Sequence, residues 1–138
     1  MTTAKALVQR QHTLLHQRDI LTVPELYAPD GYYQMPGLRV RPNDLPELMR
    51  AYLTAFPDID NQITAWIETD NEVALEQTIV GTHQGILITP FGTLPPTGKQ
   101  VRWESADIVR TRNGLITSWH SYFDQLHTLT TLGSRLLL

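Results

Sequence analysis

The stretch that decides the fold is residues 102–124, which read RWESADIVR, TRNG and LITSWHSYFD in succession. Two runs rich in β-branched and aromatic residues flank Asn113-Gly114, and an Asn-Gly pair in that setting is the strongest short-range signal for a β-hairpin. Asp107 lies in the middle of the first predicted strand, between two apolar residues, where a charge is costly unless it meets water, a partner or a cavity. The environment of Asp107 therefore decides what the protein does.

Composition limits the class of protein. The 138 residues, 41% of them hydrophobic, predict one globular domain over residues 1–138. A formal net charge of −3 without a basic stripe predicts no nucleic-acid partner. We expect no disulfide or thiol nucleophile because cysteine is absent, and no membrane partner because no run of about 18 apolar residues occurs. The N-terminal residues do not read as a signal peptide, so a cytoplasmic location is expected.

Helical patterns dominate the N-terminal half. Apolar spacing predicts a helix from Thr3 to Arg18 with Thr3 as its N-cap, a short helix over residues 22–28, and a helix from about Leu45 to Phe56. His12 and His16 are four residues apart, which is a metal-ligand spacing on a helix. Both are expected to project away from the apolar stripe and no third ligand accompanies them, so no metal site is predicted.

Strand patterns follow. Residues 32–36 read as a short strand after a turn at residues 29–31, and residues 60–69 and 72–81 read as two longer strands. A long loop rich in proline and glycine separates residue 85 from the hairpin, and a helical turn over residues 125–132 ends the pattern. The order predicts an α+β fold: a cone-shaped, curved antiparallel sheet packed on three N-terminal helices, with an apolar pocket between the layers as the default ligand site.

Several short motifs together resemble one family. They are Pro57-Asp58, Gly81-Thr82-His83-Gln84-Gly85, Pro95-Pro96-Thr97-Gly98, Asp107-Ile108-Val109-Arg110, Asn113-Gly114-Leu115-Ile116, Gln125-Leu126 and Leu132-Gly133. Their order and spacing resemble the SnoaL-like polyketide cyclases of the nuclear-transport-factor-2-like superfamily, over nearly the whole chain. The resemblance implies that fold, a homodimer formed through the convex face of the sheet, and cofactor-free aldol ring closure started by an aspartate. That superfamily also contains isomerases, hydrolases and non-catalytic binding proteins.

The chain departs from the cyclase pattern at both key positions. The family's basic aspartate follows the hairpin isoleucine by five residues, which here is Ser121, and Asp107 occupies the position of the family's histidine. With the family's strand pairing, Asp107 and Ser121 lie opposite each other and face the pocket. Asp107 is then the candidate general base, and Ser121 holds it or donates to a substrate oxyanion. The alternative is that Asp107 is a structural polar residue satisfied by Ser121, Ser105 or a buried water.

The remaining candidates follow from strand alternation. The same face as Asp107 is expected to carry the candidate substrate-binding residues Trp103, Ser105, Trp119 and Phe123, together with Val109 and Thr117; Tyr33 near the pocket mouth completes the binding set. The tryptophans are alternatively core residues.

Three further candidates have structural alternatives. His83 is a candidate pocket acid, or a histidine that ties a strand end to the long loop. His120 and Asp124 are second-rank candidates on the opposite face, which is alternatively an oligomer interface, and Asp124 is also well placed as a helix cap.

Two function classes follow. The first is a cofactor-independent enzyme that abstracts a proton alpha to a carbonyl of a small hydrophobic, oxygenated molecule, leading to cyclisation or isomerisation. The second is a non-catalytic binding or carrier protein with a degenerate site. Epoxide hydrolysis would need an arginine beside the carboxylate, and Arg102 and Arg110 are predicted to face away from Asp107.

Overall fold

The structure is a computed structural model that describes residues 2–90 and 92–133. Residue 1, residue 91 and residues 134–138 of the predicted domain lie outside the described residues. Residue 91 falls in the predicted long loop. In chain order the helices are α1 (Ala4–His16), α2 (Leu45–Ala55) and α3 (Gln125–Thr131), with short 3-10 helices at Ile20–Leu26 and Pro42–Asp44.

Eight strands accompany these helices in the described part of the chain. They are β1 (Tyr27–Met35), β2 (Leu38–Val40), β3 (Asp60–Glu68), β4 (Glu72–Thr82), β5 (Leu87–Thr89), β6 (Gly92–Leu94), β7 (Gln100–Arg112) and β8 (Leu115–Phe123). Six of them form one curved sheet in the order β2-β1-β8-β7-β4-β3, and β5 pairs with β6 separately. The α+β prediction is confirmed.

The sheet is mixed rather than wholly antiparallel. Strand β1 pairs with β8 in parallel, because the chain crosses from one edge of the sheet to the other through α2 and β3 before it returns. The Pro29-Asp30-Gly31 segment predicted as a turn lies inside β1, where it shifts the register against β8 between Tyr27 and Tyr32. A Cβ at Gly31 would lie 2.7 Å from the carbonyl oxygen of Ile116, so only glycine fits at this approach.

The β7–β8 hairpin matches its sequence signal. Asn113 and Gly114 adopt φ angles of 53° and 75°, as a tight turn with two left-handed residues requires. A register shift between Arg110 and Thr111 turns Ile116, rather than Thr117, into the core. Thr117 was predicted on the inner face, and this prediction is wrong because the extra residue reverses the alternation there; the Thr117 hydroxyl instead donates to the Arg110 carbonyl.

Two apolar clusters pack between the sheet and the helices. The first surrounds α1 and includes Leu14, Leu45 and Trp119; the second surrounds Phe56 and Trp103. The predicted long loop contains the small β5–β6 hairpin, a regular element that its glycine and proline content had argued against. No helix in the described ranges is long and apolar enough to cross a bilayer.

Candidate functional site

Strand alternation turns Asp107 into the interior. Along β7 the odd-numbered residues 101–109 are all buried, whereas Arg102, Glu104 and Arg110 are exposed. Asp107 is 1% exposed and pairs directly with Ser121 across the hairpin. The two arginines therefore project from the opposite face of the sheet, and neither can assist the carboxylate.

Three side-chain donors hold the Asp107 carboxylate. The Ser121 hydroxyl donates to Oδ1 at 3.0 Å. The indole Nε1 of Trp119 and the amide Nε2 of Gln77 both donate to Oδ2, at 2.8 Å and 3.1 Å. An ionised carboxylate has about four acceptor positions. The described side chains donate two hydrogen bonds to Oδ2 and one to Oδ1.

Burial and hydrogen bonding act on the carboxylate in opposite directions. Burial raises the pKa of Asp107, while the hydrogen bonds from Trp119, Ser121 and Gln77 favour the charged form and offset part of the rise. Ser105 Oγ is buried nearby and has no hydrogen-bond partner among the described residues. The net effect is a carboxylate that is more basic than an exposed aspartate.

Asp107 lines a cavity of about 110 Å³ between the sheet and the helices. The apolar lining comes mainly from α2 and the inner face of the sheet. Its members are Leu15, Met35, Leu45, Leu48, Met49, Leu53, Ile59, Ile79, Trp103, Trp119 and Phe123. The polar lining consists of Gln11, His12, Tyr33, Tyr52, Asn61, Gln77, Asp107 and Ser121. The described residues of the lining include no lysine or arginine, so the donors that they offer to charge developing on a ligand are neutral.

The other titratable side chains in this lining are neutral near pH 7. Burial, followed by the neighbouring His16, lowers the pKa of His12 to about 4. Burial raises the pKa of Tyr52 to about 12 and raises that of Tyr33, on which the nearby Asp107 acts in the same direction. Among the described residues of the lining Asp107 is therefore the one carboxyl group, and the phenols remain hydrogen-bond donors.

The predicted binding residues divide into two groups. Tyr33, Trp103, Trp119 and Phe123 line the cavity, and the Tyr33 and Trp119 rings are tilted neighbours with centroids 6.0 Å apart. Ser105 is also on the inner face, but it does not belong to the cavity lining. Of these four predicted aromatic residues, the β7–β8 hairpin therefore supplies three and β1 supplies one.

His83 lies apart from this group. It is fully buried at the end of β4, outside the cavity lining, with its ring 5.6 Å from that of Phe56. Its Nδ1 is 2.9 Å from the Thr97 hydroxyl, and its backbone bonds to Lys99 and Gly98. Burial lowers the pKa of His83. The geometry matches a histidine that ties the strand end to the loop, and the ring lies outside the lining of the Asp107 cavity.

The two second-rank candidates are on other surfaces. His120 is on the outer sheet face, where the hydroxyls of Tyr32 and Tyr122 are 2.9 Å and 3.1 Å from its two ring nitrogens. Asp124 caps α3, because its carboxylate accepts the backbone N–H of His127 at 2.9 Å. Neither side chain belongs to the cavity lining.

Sequence reasoning missed five polar residues of the cavity, among them Gln11 on α1. Gln77 occupies an inward position of β4 between Leu75 and Ile79, and this polar residue in an apolar row was the available signal. His12 lines the cavity, contrary to the expectation that it projects away from the apolar stripe, because the helix packs with residues 11, 12 and 15 toward the sheet. Asn61 and Tyr52 gave no distinctive pattern.

The described residues offer little to a metal ion. Residues 2–90 and 92–133 contain no group of three or more His, Asp or Glu side chains arranged to hold one. His12 and His16 meet edge to face, with ring centroids 6.3 Å apart, and His16 Nε2 lies 3.5 Å from an oxygen of Asp60.

Known proteins share this architecture. AclR from Streptomyces galilaeus is 25% identical with a TM-score of 0.79, covering 96% of this chain and 97% of that one. TsrD from Streptomyces laurentii is 14% identical with a TM-score of 0.79, covering 95% of each chain. A SnoaL-like polyketide cyclase from Agrobacterium tumefaciens is 14% identical with a TM-score of 0.75, covering 96% of this chain and 100% of that one. No curated protein matches the sequence.

The family assignment rests on the sequence as well as the fold. The model of the SnoaL-like polyketide cyclases matches residues 5–132, which include every helix of the structure except the first residue of α1, all eight strands, and the whole lining of the cavity. The chain therefore belongs to the SnoaL-like polyketide cyclase family.

Proposed function

We propose that this protein is a cofactor-independent general-base enzyme that removes a proton alpha to a carbonyl of a small, uncharged, hydrophobic molecule, with Asp107 as the base. The observation that carries the proposal is the setting of Asp107: a buried carboxylate on an apolar cavity, with a raised pKa and with one hydrogen bond from the described side chains on Oδ1 against two on Oδ2. A carboxylate that is more basic than usual is the better proton acceptor near neutral pH.

The steps balance without a cofactor. Asp107 takes the carbon-bound proton, and the electron pair of the C–H bond becomes an enolate. In cyclisation the enolate carbon forms a bond to a second carbonyl of the same molecule, and the resulting alkoxide takes up the proton held by Asp107. In isomerisation the proton returns to a different carbon. Each route regenerates the carboxylate.

Neutral donors are the groups that can stabilise the enolate oxygen. Tyr33 lines the cavity, whereas the single hydroxyl proton of Ser121 is donated to Asp107 Oδ1. Because burial keeps the Tyr33 phenol protonated, it can donate a hydrogen bond to developing negative charge. Trp103, Trp119 and Phe123 then provide flat apolar walls for a ring system.

Exchange of alpha protons tests the proposal without knowledge of the natural substrate. The probes are β-tetralone and ethyl acetoacetate in D2O near neutral pD, followed by proton NMR. We expect the wild type to accelerate deuterium incorporation, and Asp107→Asn to lower the enzymatic rate by about a hundredfold or more. The matched control is Glu104→Gln on the exposed face of the same strand. Full exchange by Asp107→Asn would remove Asp107 as the base.

The second candidate function is a non-catalytic carrier. It is favoured by the three protein donors on Asp107, because a carboxylate satisfied in this way also occurs as a purely structural group. Saturable binding of β-tetralone, seen as shifts of the Trp103 and Trp119 indole resonances, without deuterium incorporation would support this alternative.

The homodimer, the cytoplasmic location and the single-domain extent remain predictions. Sedimentation velocity at several protein concentrations tests the homodimer. A monomer mass at all concentrations would contradict it.

A further inference from the structure

The carboxamide of Gln77 has a fixed direction. Its Nε2 donates to Asp107 Oδ2 at 3.1 Å, and the side chain is 5% exposed. An ionised carboxylate only accepts hydrogen bonds, so Gln77 must present its NH2 group to Asp107 and its Oε1 to the other side.

The other end of that carboxamide is also held. The Asn61 Nδ2 group donates to Gln77 Oε1 at 3.4 Å. Asn61 is on β3 and Gln77 is on β4, while Asp107 is on β7, so the contacts run across three adjacent strands of one sheet. When the Asn61 NH2 group points toward Gln77, the Gln77 Oε1 accepts from it. The Gln77 NH2 group then points toward Asp107 and donates to its Oδ2.

Within residues 2–90 and 92–133, the other titratable side chains that face Asp107 are uncharged near pH 7. The titratable side chains that face Asp107 are His12 from α1, Tyr27 and Tyr33 from β1, and Tyr52 from α2. Burial keeps all of them neutral near pH 7, because it lowers the pKa of the His12 imidazole and raises the pKa of the three tyrosine phenols. The negative charge of Asp107 thus depends on neutral donors whose direction must be correct.

We propose that Gln77 is a positioning residue for Asp107, and that the hydrogen bond from Asn61 stabilises this direction of the Gln77 carboxamide. The chain Asn61–Gln77–Asp107 keeps Oδ2 occupied together with Trp119, and so leaves Oδ1 as the oxygen that receives the substrate proton. The catalytic role of this hydrogen-bonded chain rests on the proposed function of Asp107 as the general base. The hydrogen-bonded chain itself is measurable without any substrate.

The experiment is a carboxyl-carbon NMR titration of Asp107 in protein labelled with carbon-13 at aspartate, the signal being assigned by its loss in Asp107→Asn. Gln77→Met removes the donor to Oδ2 and keeps a similar volume. We expect it to increase the proton affinity of Asp107 about tenfold, because a hydrogen bond to a charged group is lost.

Asn61→Leu is the decisive variant, because residue 61 makes no hydrogen bond to Asp107 and leucine adds no charge. It frees Gln77 to turn, and we expect the proton affinity of Asp107 to rise by about twofold to fivefold. Gln62→Leu is the matched control, since Gln62 is the exposed neighbour on the same strand. Asn61→Ser, which is smaller, replaces Asn61→Leu if the latter does not give a dispersed spectrum.

Two results overturn the inference. One is an unchanged Asp107 titration in Gln77→Met, and the other is a titration in the Asn61 variant that coincides with that of Gln62→Leu. Failure of the proposed function is seen separately, in the proton-exchange assay. If Asp107→Asn keeps full exchange while the titrations shift as expected, the hydrogen-bonded chain stands and the base is another group.

Discussion

Trp119 Nε1 donates to Asp107 Oδ2 at 2.8 Å, the shortest of the three hydrogen bonds that the described side chains make to that carboxylate. Trp119 pairs with Val109 in the hairpin, so its indole reaches diagonally along the inner face to the carboxylate. One side chain therefore forms an apolar wall of the cavity and also stabilises the buried charge.

Replacement of this indole by phenylalanine separates the two roles. Trp119→Phe keeps an aromatic ring but removes the N–H donor, which leaves Gln77 alone on Oδ2. We expect a loss of about 1–3 kcal/mol in the free energy of unfolding at neutral pH, because a hydrogen bond to a charged group is removed. The loss is expected to shrink in acid, where Asp107 is protonated. Urea unfolding at several pH values measures it, and a loss that does not change with pH would assign the effect to packing.

The Asp107 carboxylate itself is expected to lower stability. Burial raises its pKa in the folded protein, so the folded state binds the proton up to a higher pH than the unfolded chain does. The free energy of unfolding thus falls as the pH rises from the unfolded pKa of about 3.9 through the folded pKa, and it stays lower above that interval. Asp107→Asn removes this effect, because the Ser121 hydroxyl can accept from the new amide.

We expect Asp107→Asn to be more stable than the wild type at neutral pH, by about 1.4 kcal/mol for each pH unit between the two pKa values. The gain should disappear below about pH 3.9, where both states of the wild type are protonated. Urea midpoints at neutral and acid pH test this. A variant less stable than the wild type at neutral pH would indicate that the donors outweigh the burial of the charge.

His12 is expected to affect the pH dependence of the unfolding free energy in the opposite direction from Asp107. Burial and the neighbouring His16 lower its pKa from 6.5 to about 4 in the folded protein, so the unfolded chain binds the proton first as the pH falls. The stability contribution is present above about pH 6.5 and is lost progressively down to about pH 4. We expect His12→Gln to flatten the fall in unfolding free energy over this interval.

The matched control for His12 is His127→Gln, because His127 is an exposed histidine on α3. Burial also lowers the pKa of His83 and His120, so part of the slope should remain in His12→Gln. An acid slope identical in His12→Gln and the wild type would contradict the neutral, buried state of His12.

Substitution of Asp124 tests whether this residue is a helix cap or a catalytic group. Its carboxylate accepts the His127 N–H at the start of α3. We expect Asp124→Ala to lower the free energy of unfolding by about 1 kcal/mol, and Asp124→Asn to retain most of the stability because asparagine also caps helices. Both variants should keep the exchange activity on β-tetralone. Loss of that activity in the well-folded Asp124→Asn would return Asp124 to the catalytic candidates.

Local patterns predicted the elements that carry their own signals. The Asn113-Gly114 turn, the Thr3 cap and helix α2 all occur as expected, because turn chemistry, capping and apolar spacing act between residues close in the chain. Alternation in β7 likewise placed Asp107 on the inner face, opposite Ser121. A strict period of two carries that information as long as no residue is inserted.

Three features depended on the rest of the molecule. The β1–β8 pairing is parallel, although β1 alone reads like any short strand, since the direction of a neighbour is a property of two segments. The inserted residue near Thr117 changed which side chain is buried. His12 lines the cavity because α1 packs on the sheet through one particular side, which its helical period alone left undecided.

The sequence by itself determined the fold class, the hairpin and the inward position of Asp107, because each follows from short-range periodicity, turn chemistry and motifs in a fixed order. Only the tertiary structure decided which donors surround that carboxylate. Trp119 is twelve residues from Asp107 and Gln77 is thirty residues away, and such contacts arise from strand register and helix packing. The pKa of Asp107 depends on those contacts and on burial, so its chemistry is set by the assembled sheet rather than by the strand that carries it.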